Sequence, residues 1–298
     1  MTSTITVHKL HKSYGSVRAV DDVSFEVAEG EFFGILGPNG AGKTTTLELI
    51  EGLREPDKGT IHTLGLTPWP RNKALLPRIG VQLQATSFFE RLTAREQLQT
   101  WGSLYGTSKG RADEMLELVG LADKAGTRTE DLSGGQAQRL SLACSLIHDP
   151  ELVFLDEPTA ALDPQARRNL WDLLRTINKQ GRTVILTTHY MDEAELLCDR
   201  VAIMDHGKIL ANDAPATLVR NLDARVHISL PHGTLPENLE LPGIENTTDD
   251  GLTVTLTTAE PAPVLTILAE HHALAGIGVK GATLEDVFLE LTGREYRA

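Results

Sequence analysis

Residues 37–44 of the chain read Gly37-Pro38-Asn39-Gly40-Ala41-Gly42-Lys43-Thr44, and the next residue is Thr45. The stretch has the form G-x-x-x-x-G-K-[ST], whose glycines let the backbone curl so that its N–H groups point at phosphate oxygens. Apolar residues at 32–36 predict a buried strand before it, and residues 44–50 predict the first turns of a helix after it. A helix N-terminus adds positive dipole to the same site. The stretch therefore predicts a strand–loop–helix unit that binds a nucleoside triphosphate.

Two side chains of this phosphate loop have expected roles of their own. Lys43 is predicted to reach the β- and γ-phosphates, and the Thr44 hydroxyl is predicted to bind Mg²⁺. We assign residues 37–45 as a whole to the nucleotide site. The alternative, a glycine-rich turn without a ligand, accounts for the glycines but not for the complete motif in its strand–loop–helix setting.

Length and composition describe an ordinary globular chain. With 298 residues, 41% of them hydrophobic and 23% charged, there is room for one large domain and a small one. No apolar run approaches the ~18 residues of a transmembrane helix, and the N-terminus lacks the basic-then-apolar layout of a signal peptide. We therefore expect the chain to be cytoplasmic, with Cys144 and Cys198 reduced and packed in the core.

The charge balance excludes some classes of partner. A formal net charge of −13 argues against broad binding to nucleic acid, which depends on Lys and Arg meeting phosphate. It also argues against docking on an anionic lipid surface by charge alone. Any contact with a membrane is expected to run through a partner protein.

The order of predicted elements over residues 4–220 is that of an α/β fold of the doubly wound type. Alternating apolar runs at 5–7 and 23–27 predict an antiparallel strand pair before the phosphate loop, and residues from about 85 to 150 have helical periodicity. We therefore predict a P-loop core with a mixed sheet, an antiparallel β subdomain and a helical insertion. After residue 150 the pattern predicts strands at 152–155, 183–187, 201–204 and 208–210, and helices at about 164–180 and 191–198.

Residues 222–298 have a different character and predict a small, acidic α+β accessory domain. Its short strands are separated by loops rich in Pro, Gly and Asn. The closing helix repeats apolar residues at helical spacing, which suits either internal core or contact with another molecule. The predicted elements are strands at 226–230, 252–256 and 277–280, and helices near 261–273 and 283–291.

Residues 132–136 read Leu132-Ser133-Gly134-Gly135-Gln136, which resembles the signature sequence of the ATP-binding cassette (ABC) ATPases. We expect Ser133 to cap a helix that Gln136 begins, leaving bare N–H groups as a second anion site. The resemblance implies that this site contacts the γ-phosphate of the ATP bound by an opposite subunit, so that two cassettes enclose two ATP molecules. A plain N-capped helix start is the alternative. The resemblance extends over residues about 4–220.

Two carboxylates follow the predicted strand at 152–155 and resemble the Walker B aspartate and the glutamate beside it in this family. The resemblance implies that Asp156 holds Mg²⁺ through its water shell and that Glu157 polarises the attacking water. Glu157 lies beyond the strand end, where a side chain meets ligand rather than core. The alternative is a pair of solvated carboxylates that merely close the strand.

Four further residues match motifs of the family. His189 resembles the switch histidine that supports the γ-phosphate, and Asp163 belongs to a stretch like the D-loop, which crosses the dimer interface. Gln84 resembles the Q-loop glutamine that touches Mg²⁺; it is preferred to Gln82 because it is expected to end its strand. Tyr14 resembles the aromatic residue that stacks on adenine.

The resemblance implies an ATPase that drives transport through a separate membrane-spanning subunit, working at the inner face of the cell membrane. The cassette is expected to pair with an identical copy or with a different cassette. Residues 187–195 and 282–293 are similar to the drug- and polymer-export branch. The competing interpretation, a soluble ABC ATPase acting on ribosomes or DNA, fits poorly because the chain has one cassette, no heptad run and excess acid.

Overall fold

The computed structural model describes residues 3–83, 88–89, 91–222, 225–235 and 239–293. The chain divides between residues 215 and 216 into two compact units. Within the described residues, no helix is both long enough and apolar enough to cross a membrane.

The first unit carries nine strands and six helices in its described part, and α7 (Pro215–Asn221) spans the division. Three short 3₁₀ turns, at Leu76–Arg78, Ala122–Lys124 and Thr129–Asp131, lie between the longer elements. In chain order the elements of the unit are β1 (Ser3–Tyr14), β2 (Val17–Ala28), β3 (Phe32–Leu36), α1 (Lys43–Ile50), β4 (Lys58–Thr63), β5 (Ile79–Gln82), α2 (Ala94–Leu104), α3 (Gly110–Leu118), α4 (Gly134–Leu146), β6 (Leu152–Asp156), α5 (Pro164–Lys179), β7 (Thr183–Thr188), α6 (Met191–Leu197), β8 (Arg200–Asp205) and β9 (Lys208–Asp213).

A six-stranded sheet in the order β5-β6-β7-β3-β8-β9 forms the centre of the first unit. All neighbours are parallel except β9, which runs antiparallel to β8. Every residue of β3, β6 and β7 is buried, as expected for strands covered on both faces. Leu36 pairs with Thr188, and Asp156 pairs with Thr187, so the carboxyl ends of these strands meet at one edge. This edge is where a doubly wound fold places its ligand.

A three-stranded antiparallel sheet in the order β2-β1-β4 packs into the same hydrophobic core. The rings of Phe25 and Phe33 stack with centroids 5.2 Å apart, joining β2 to β3 of the central sheet. The predicted strand pair is thus present, and β4 joins it as a third strand. The sequence did not signal β4 because only Ile61 and Thr63 of its six residues are buried.

Helices α2, α3 and α4 occupy the region predicted to be a helical insertion. A capping box begins α2, in which Thr93 and Glu96 satisfy each other's backbone N–H groups. Helix α4 begins at Gly134, so the prediction that Gln136 begins it is wrong by two residues. Ser133 is the N-cap, and Gln136 takes the third helical position because its side chain completes a second capping box.

The second unit is an antiparallel sheet with helices, and its elements are β10 (Val226–Pro231), β11 (Ile244–Asp249), β12 (Thr253–Thr258), α8 (Pro261–Glu270), β13 (Gly278–Lys280) and α9 (Leu284–Thr292). The strand order in the sheet is β11-β12-β10-β13. Ile228 lies opposite Leu256 and Leu230 opposite Val254, and these four side chains form a buried core with Val264 and Leu268 of α8. The strand at 244–249 was not predicted because none of its residues is buried, so it shows no alternation.

Two helices of the second unit differ in detail from expectation. Helix α8 ends at Glu270, three residues before the predicted end. The apolar face of α9 is buried at Leu284, Val287 and Phe288, whereas Leu291 is 42% exposed. Most of the predicted apolar face is therefore core.

Candidate functional site

The phosphate loop joins β3 to α1 and is tied to the neighbouring strand, since the Gly37 N–H donates to the Thr188 carbonyl at 3.2 Å. At two positions of the loop only glycine fits, because neighbouring backbone atoms occupy the space that a side chain would need. A Cβ atom at Gly37 would lie 2.1 Å from the Met204 carbonyl oxygen, and one at Gly42 would lie 2.1 Å from that of Ala19. Gly42 also has φ of +106°, which disfavours any other residue. The loop conformation therefore depends on both glycines.

Lys43, the first residue of α1, is 4% exposed and faces into the loop. Its Nζ donates to the carbonyls of Gly37 at 2.8 Å and Pro38 at 3.1 Å, and lies 3.1 Å from Glu157 Oε1. An ammonium group has three protons to donate, so these three partners match its capacity. A phosphate that reaches this lysine must take over part of that set.

Asp156 ends β6 with a side chain that accepts two hydroxyl hydrogen bonds. Its Oδ1 accepts from Thr44 Oγ1 at 3.2 Å and from Thr187 Oγ1. Burial raises the pKa of the Asp156 carboxyl, and the hydrogen bonds from Thr187 and Thr44 partly oppose that rise. The structure thus joins Thr44 and Asp156, which the sequence assigned to the metal; Thr187 lacked a sequence signal because its role depends on strand pairing.

The oxygens of Thr44 and Asp156 are the kind of hard ligand that Mg²⁺ prefers. The part of the chain that the structure describes holds no group of three or more His, Cys, Asp or Glu residues able to bind a metal ion. Mg²⁺ is commonly held by one or two carboxylates, with water and substrate phosphate as the other ligands. The donor set fits that kind of site.

Glu157 follows β6 in a left-handed backbone conformation, with φ of +47°. Its N–H donates to the Thr187 backbone at 3.1 Å and to the Thr187 hydroxyl at 3.0 Å, which holds this unusual conformation. The side chain is 7% exposed, with Oε1 facing Lys43 and Oε2 lying 3.1 Å from His189 Nδ1. The candidate base is therefore clamped between a lysine and a histidine.

His189 follows β7 and is also held by its neighbours. Its ring centroid lies 4.1 Å from that of Tyr190, and the Arg167 guanidinium lies 3.9 Å from the Tyr190 ring. Tyr190 and Arg167 were not assigned from the sequence. Arg167 offered no signal at all, because only the fold brings α5 to the end of β7.

A second group of predicted residues gathers at the N-termini of α4 and α5. Ser133 Oγ accepts from the Gln136 N–H at 3.4 Å, and Asp163 Oδ1 accepts from the N–H of Ala166 at 2.9 Å. A Cβ atom at Gly135 would lie 3.1 Å from that of Ala166, so the two helix starts are in contact. The first N–H groups of a helix have no partner within it, and Gly134 has open space around its Cα. A helix start of this kind is suited to binding an anion.

Gln84 was preferred to Gln82 because it was expected to end its strand, and that expectation is wrong. Strand β5 ends at Gln82, so Gln84 does not end it. Gln84 itself lies outside the described residues, and its role stays a prediction. Gln82 is 1% exposed, and its Nε2 donates to the Gln138 carbonyl at 3.4 Å, which links β5 to α4.

Tyr14 ends β1 with 42% of its surface exposed. The Arg54 guanidinium lies 5.6 Å from the ring centroid and Lys12 Nζ lies 5.7 Å from it. An exposed ring with cations beside it is suited to stacking against a base and to placing positive charge near phosphate.

Comparison with known proteins identifies the family. The ABC transporter family model matches residues 20–160. Nod factor export ATP-binding protein I of Paraburkholderia xenovorans is 40% identical over 303 residues, which cover 99% of each chain. The chain belongs to the ABC transporter family. This ABC ATPase is also 36% identical to the linearmycin resistance ATP-binding protein LnrL of Bacillus subtilis, over 98% of its own length and 99% of that protein.

The fold of this ABC ATPase agrees with that identification. A solved dimeric ATP-binding cassette, in a post-hydrolysis state with ADP and Pi bound, is 28% identical and has a TM-score of 0.64. The match covers 70% of this chain and 98% of that one. The predicted P-loop fold class and the resemblance read from residues 132–136 are confirmed. As a member of the family, this chain hydrolyses ATP and couples hydrolysis to transport, working with a separate membrane subunit.

Proposed function

We propose that this ABC ATPase powers export of a drug, lipid or polymer-like substrate, and that two cassettes close around ATP to do so. The observation that carries the ATPase assignment is the convergence of Lys43, Asp156, Glu157 and His189 at one edge of the sheet. Support for export comes from two relatives, one named for export of Nod factor and the other for resistance to linearmycin. The membrane-spanning partner places the chain at the inner face of the cell membrane.

Glu157 acts as the base that orients and polarises the attacking water. In the chain alone its Oε1 is paired with Lys43, so base and cation neutralise each other. When phosphate oxygens attract the lysine, Glu157 is left with one oxygen oriented by His189 and the other able to accept from water. Nucleotide binding thus prepares the base.

Thr44 and Asp156 hold Mg²⁺, with Gln84 as the third predicted contact. A bound Mg²⁺ would neutralise charge on the phosphate oxygens. A cation beside Asp156 also offsets the cost of burying this carboxylate, which is the cause of its raised pKa. Backbone N–H groups of residues 37–45 cradle the phosphates, and Tyr14 stacks on adenine.

Residues Ser133–Gln136 bind the triphosphate held by the opposite cassette, with Asp163 at the same interface. The cap geometry supports this role, because Ser133 and Gln136 fix the helix start, and the N–H groups of Gly134 and Gly135 lie in the first turn, where they have no partner within the helix. The second cassette is either an identical copy or a different chain.

Replacing Gly134 by Asp tests the paired arrangement. Open space around Gly134 accommodates the side chain, and a carboxylate in the first turn favours the helix by about 0.3–1 kcal/mol. The same carboxylate repels a facing triphosphate, and such like-charge contacts cost several kcal/mol. We expect a thermal unfolding temperature equal to or above that of the parent, with ATPase activity lowered more than tenfold. Parent-like ATPase activity in this variant would contradict the assignment.

Replacing Tyr14 by Ala is expected to weaken ATP binding by about 5- to 150-fold, since stacking a base on an aromatic ring contributes about 1–3 kcal/mol. Replacement by Phe keeps the ring and should leave the affinity near that of the parent. Titration calorimetry with ATP measures both variants. Equal affinity of Tyr14→Ala and Tyr14→Phe would remove Tyr14 from the site.

Fractionation of cells that produce the chain tests the transport role. We expect the chain in the membrane fraction, in complex with an integral membrane protein, and we expect ATPase activity in the purified complex. Recovery with ribosomes at low salt, and none with membranes, would contradict the proposal and favour a soluble ABC ATPase.

A further inference from the structure

Helix α5 and the start of α6 meet beside His189, and two pairs of side chains join them. Arg167 and Trp171 are four residues apart on α5, so they lie on the same face of that helix. The Arg167 guanidinium lies 3.9 Å from the ring centroid of Tyr190, the N-cap residue of α6. One turn further along, Trp171 Nε1 donates to Glu193 Oε1 at 2.9 Å. The two helices are therefore joined at two points, and one of them adjoins the histidine.

Glu193 places a carboxyl group in the interior between these helices, with none of its surface exposed. Its Oε1 accepts from Trp171, but its Oε2 has no hydrogen-bond partner among the residues that the structure describes. Burial raises the pKa of this carboxyl, and the positive charge of Arg167 opposes that rise. A charge in the interior is tolerated only where another group compensates it. A cation that compensates Glu193 is thus the same one that covers Tyr190.

Arg167 is held in turn by these two neighbours. Its Nε is buried and has no hydrogen-bond partner in the described part of the chain. A guanidinium is planar and weakly hydrated, so it packs well over the face of an aromatic ring. The Tyr190 ring and the charge of Glu193 together keep the guanidinium in place.

Tyr190 passes this restraint on to His189. Its N–H donates to the Thr188 hydroxyl at 2.9 Å, which fixes the backbone between the end of β7 and α6. Its ring centroid lies 4.1 Å from that of His189, with 41° between the ring planes. His189 Nδ1 lies 3.1 Å from Glu157 Oε2. A histidine ring packed against a fixed ring has fewer orientations open to it, so its nitrogen stays near the carboxylate.

We propose that Arg167 is a positioning residue for ATP hydrolysis: beside Glu193, it restrains Tyr190 and thereby keeps the His189 ring directed at Glu157. The inference rests on the proposed role of His189 and adds the residues that hold it. Arg167 lies outside residues 37–45, so its loss should lower the rate of hydrolysis and leave ATP affinity unchanged. Misplacing a catalytic group by about 1 Å can slow a reaction about 10²-fold.

The first test compares Arg167→Met with the matched variant Arg168→Met, which removes an exposed arginine from the next position of α5. Hydrolysis is measured with the full chain in complex with its membrane-spanning subunit, and ATP affinity by titration calorimetry. We expect Arg167→Met to lower kcat by about 10- to 100-fold, with ATP affinity within about twofold of the parent. Arg168→Met should match the parent in both. Thermal unfolding verifies that each variant is folded, and a parent-like kcat of Arg167→Met overturns the inference.

The second test concerns the ring. Tyr190→Leu removes it and should lower kcat as Arg167→Met does. Tyr190→Phe keeps a ring between Arg167 and His189 and should restore most of the rate. Equal loss of kcat in Tyr190→Leu and Tyr190→Phe overturns the inference, because the ring would then not be the element that matters.

The third test asks whether Arg167 acts through His189. If it does, adding Arg167→Met to His189→Ala should lower kcat by no more than about twofold, whereas independent effects would multiply. A further loss of about tenfold overturns the inference. Slow hydrolysis by His189→Ala beside a parent-like Arg167→Met overturns the inference alone. Hydrolysis by His189→Ala at the parental rate removes the proposed role of His189, and the inference with it.

Discussion

Replacing Glu157 by Gln is expected to slow ATP hydrolysis by about 10²–10⁴-fold, the usual contribution of a general base. The amide is nearly the same size as the carboxylate but cannot take a proton from water. ATP binding should persist, because Lys43 remains next to the loop carbonyls of Gly37 and Pro38. Release of phosphate under saturating ATP and Mg²⁺ measures the rate.

Glu151→Gln is the matched control for this prediction. Glu151 precedes the same strand, β6, at its opposite end, where its side chain is 57% exposed and paired with Arg78. Its substitution should leave the hydrolysis rate within about twofold of the parent, as is usual for a surface change. Hydrolysis by Glu157→Gln at the parental rate would show that another group activates the water.

The same variant should accumulate the closed pair of cassettes. If hydrolysis reopens the pair, a chain that binds ATP without cleaving it remains closed. Size-exclusion chromatography with light scattering, in ATP and Mg²⁺, should therefore show a dimer of Glu157→Gln, or of the variant with its paired cassette. A variant that binds ATP but stays monomeric both alone and with the membrane complex would contradict closure around ATP.

Replacing Lys43 by Ala is expected to weaken ATP binding by about 30- to 4,000-fold. Truncating one partner of a buried, charged hydrogen-bonded pair costs about 2–5 kcal/mol, and each 1.4 kcal/mol is a factor of ten. The change also leaves Glu157 buried without the cation that lies 3.1 Å from it, so the isolated variant should unfold at a lower temperature than the parent.

Two measurements separate these effects of Lys43→Ala. Titration calorimetry gives the ATP affinity, and thermal unfolding with and without ATP shows whether the nucleotide still stabilises the fold. Lys179→Ala, which removes an exposed lysine from the end of α5, should behave as the parent in both. Equal stabilisation of parent and Lys43→Ala by ATP would exclude Lys43 from the phosphate site.

Much of the candidate site could be predicted because each of its motifs consists of residues that are close together along the chain. The phosphate loop needs a fixed spacing of glycines, Lys43 and Thr44, and that spacing is visible in eight residues. The assignment of Asp156, Glu157 and His189 came from the resemblance to the ABC ATPases, and the rule that ligands bind at the carboxyl ends of parallel strands agrees with it. Capping by Ser133 was also predictable, since caps involve residues three apart.

Errors arose where an element has no periodic pattern of burial. Strands β4 and β11 lack a regularly buried face, so neither showed the alternation that reveals a strand. The end of β5 was misplaced for a related reason. Two glutamines two residues apart occupy similar positions in a pattern, and only the hydrogen-bonded register shows that the strand stops at Gln82.

The sequence by itself determined the family, the nucleotide chemistry and the residues of the phosphate loop, because these depend on residues close together along the chain. Only the tertiary structure decided that Lys43 pairs with Glu157 and that Met204 and Ala19 force glycine into the loop. These contacts join residues that are brought together by strand pairing and packing. The interaction energies of these contacts depend on burial and distance, and a local pattern of residues predicts neither quantity.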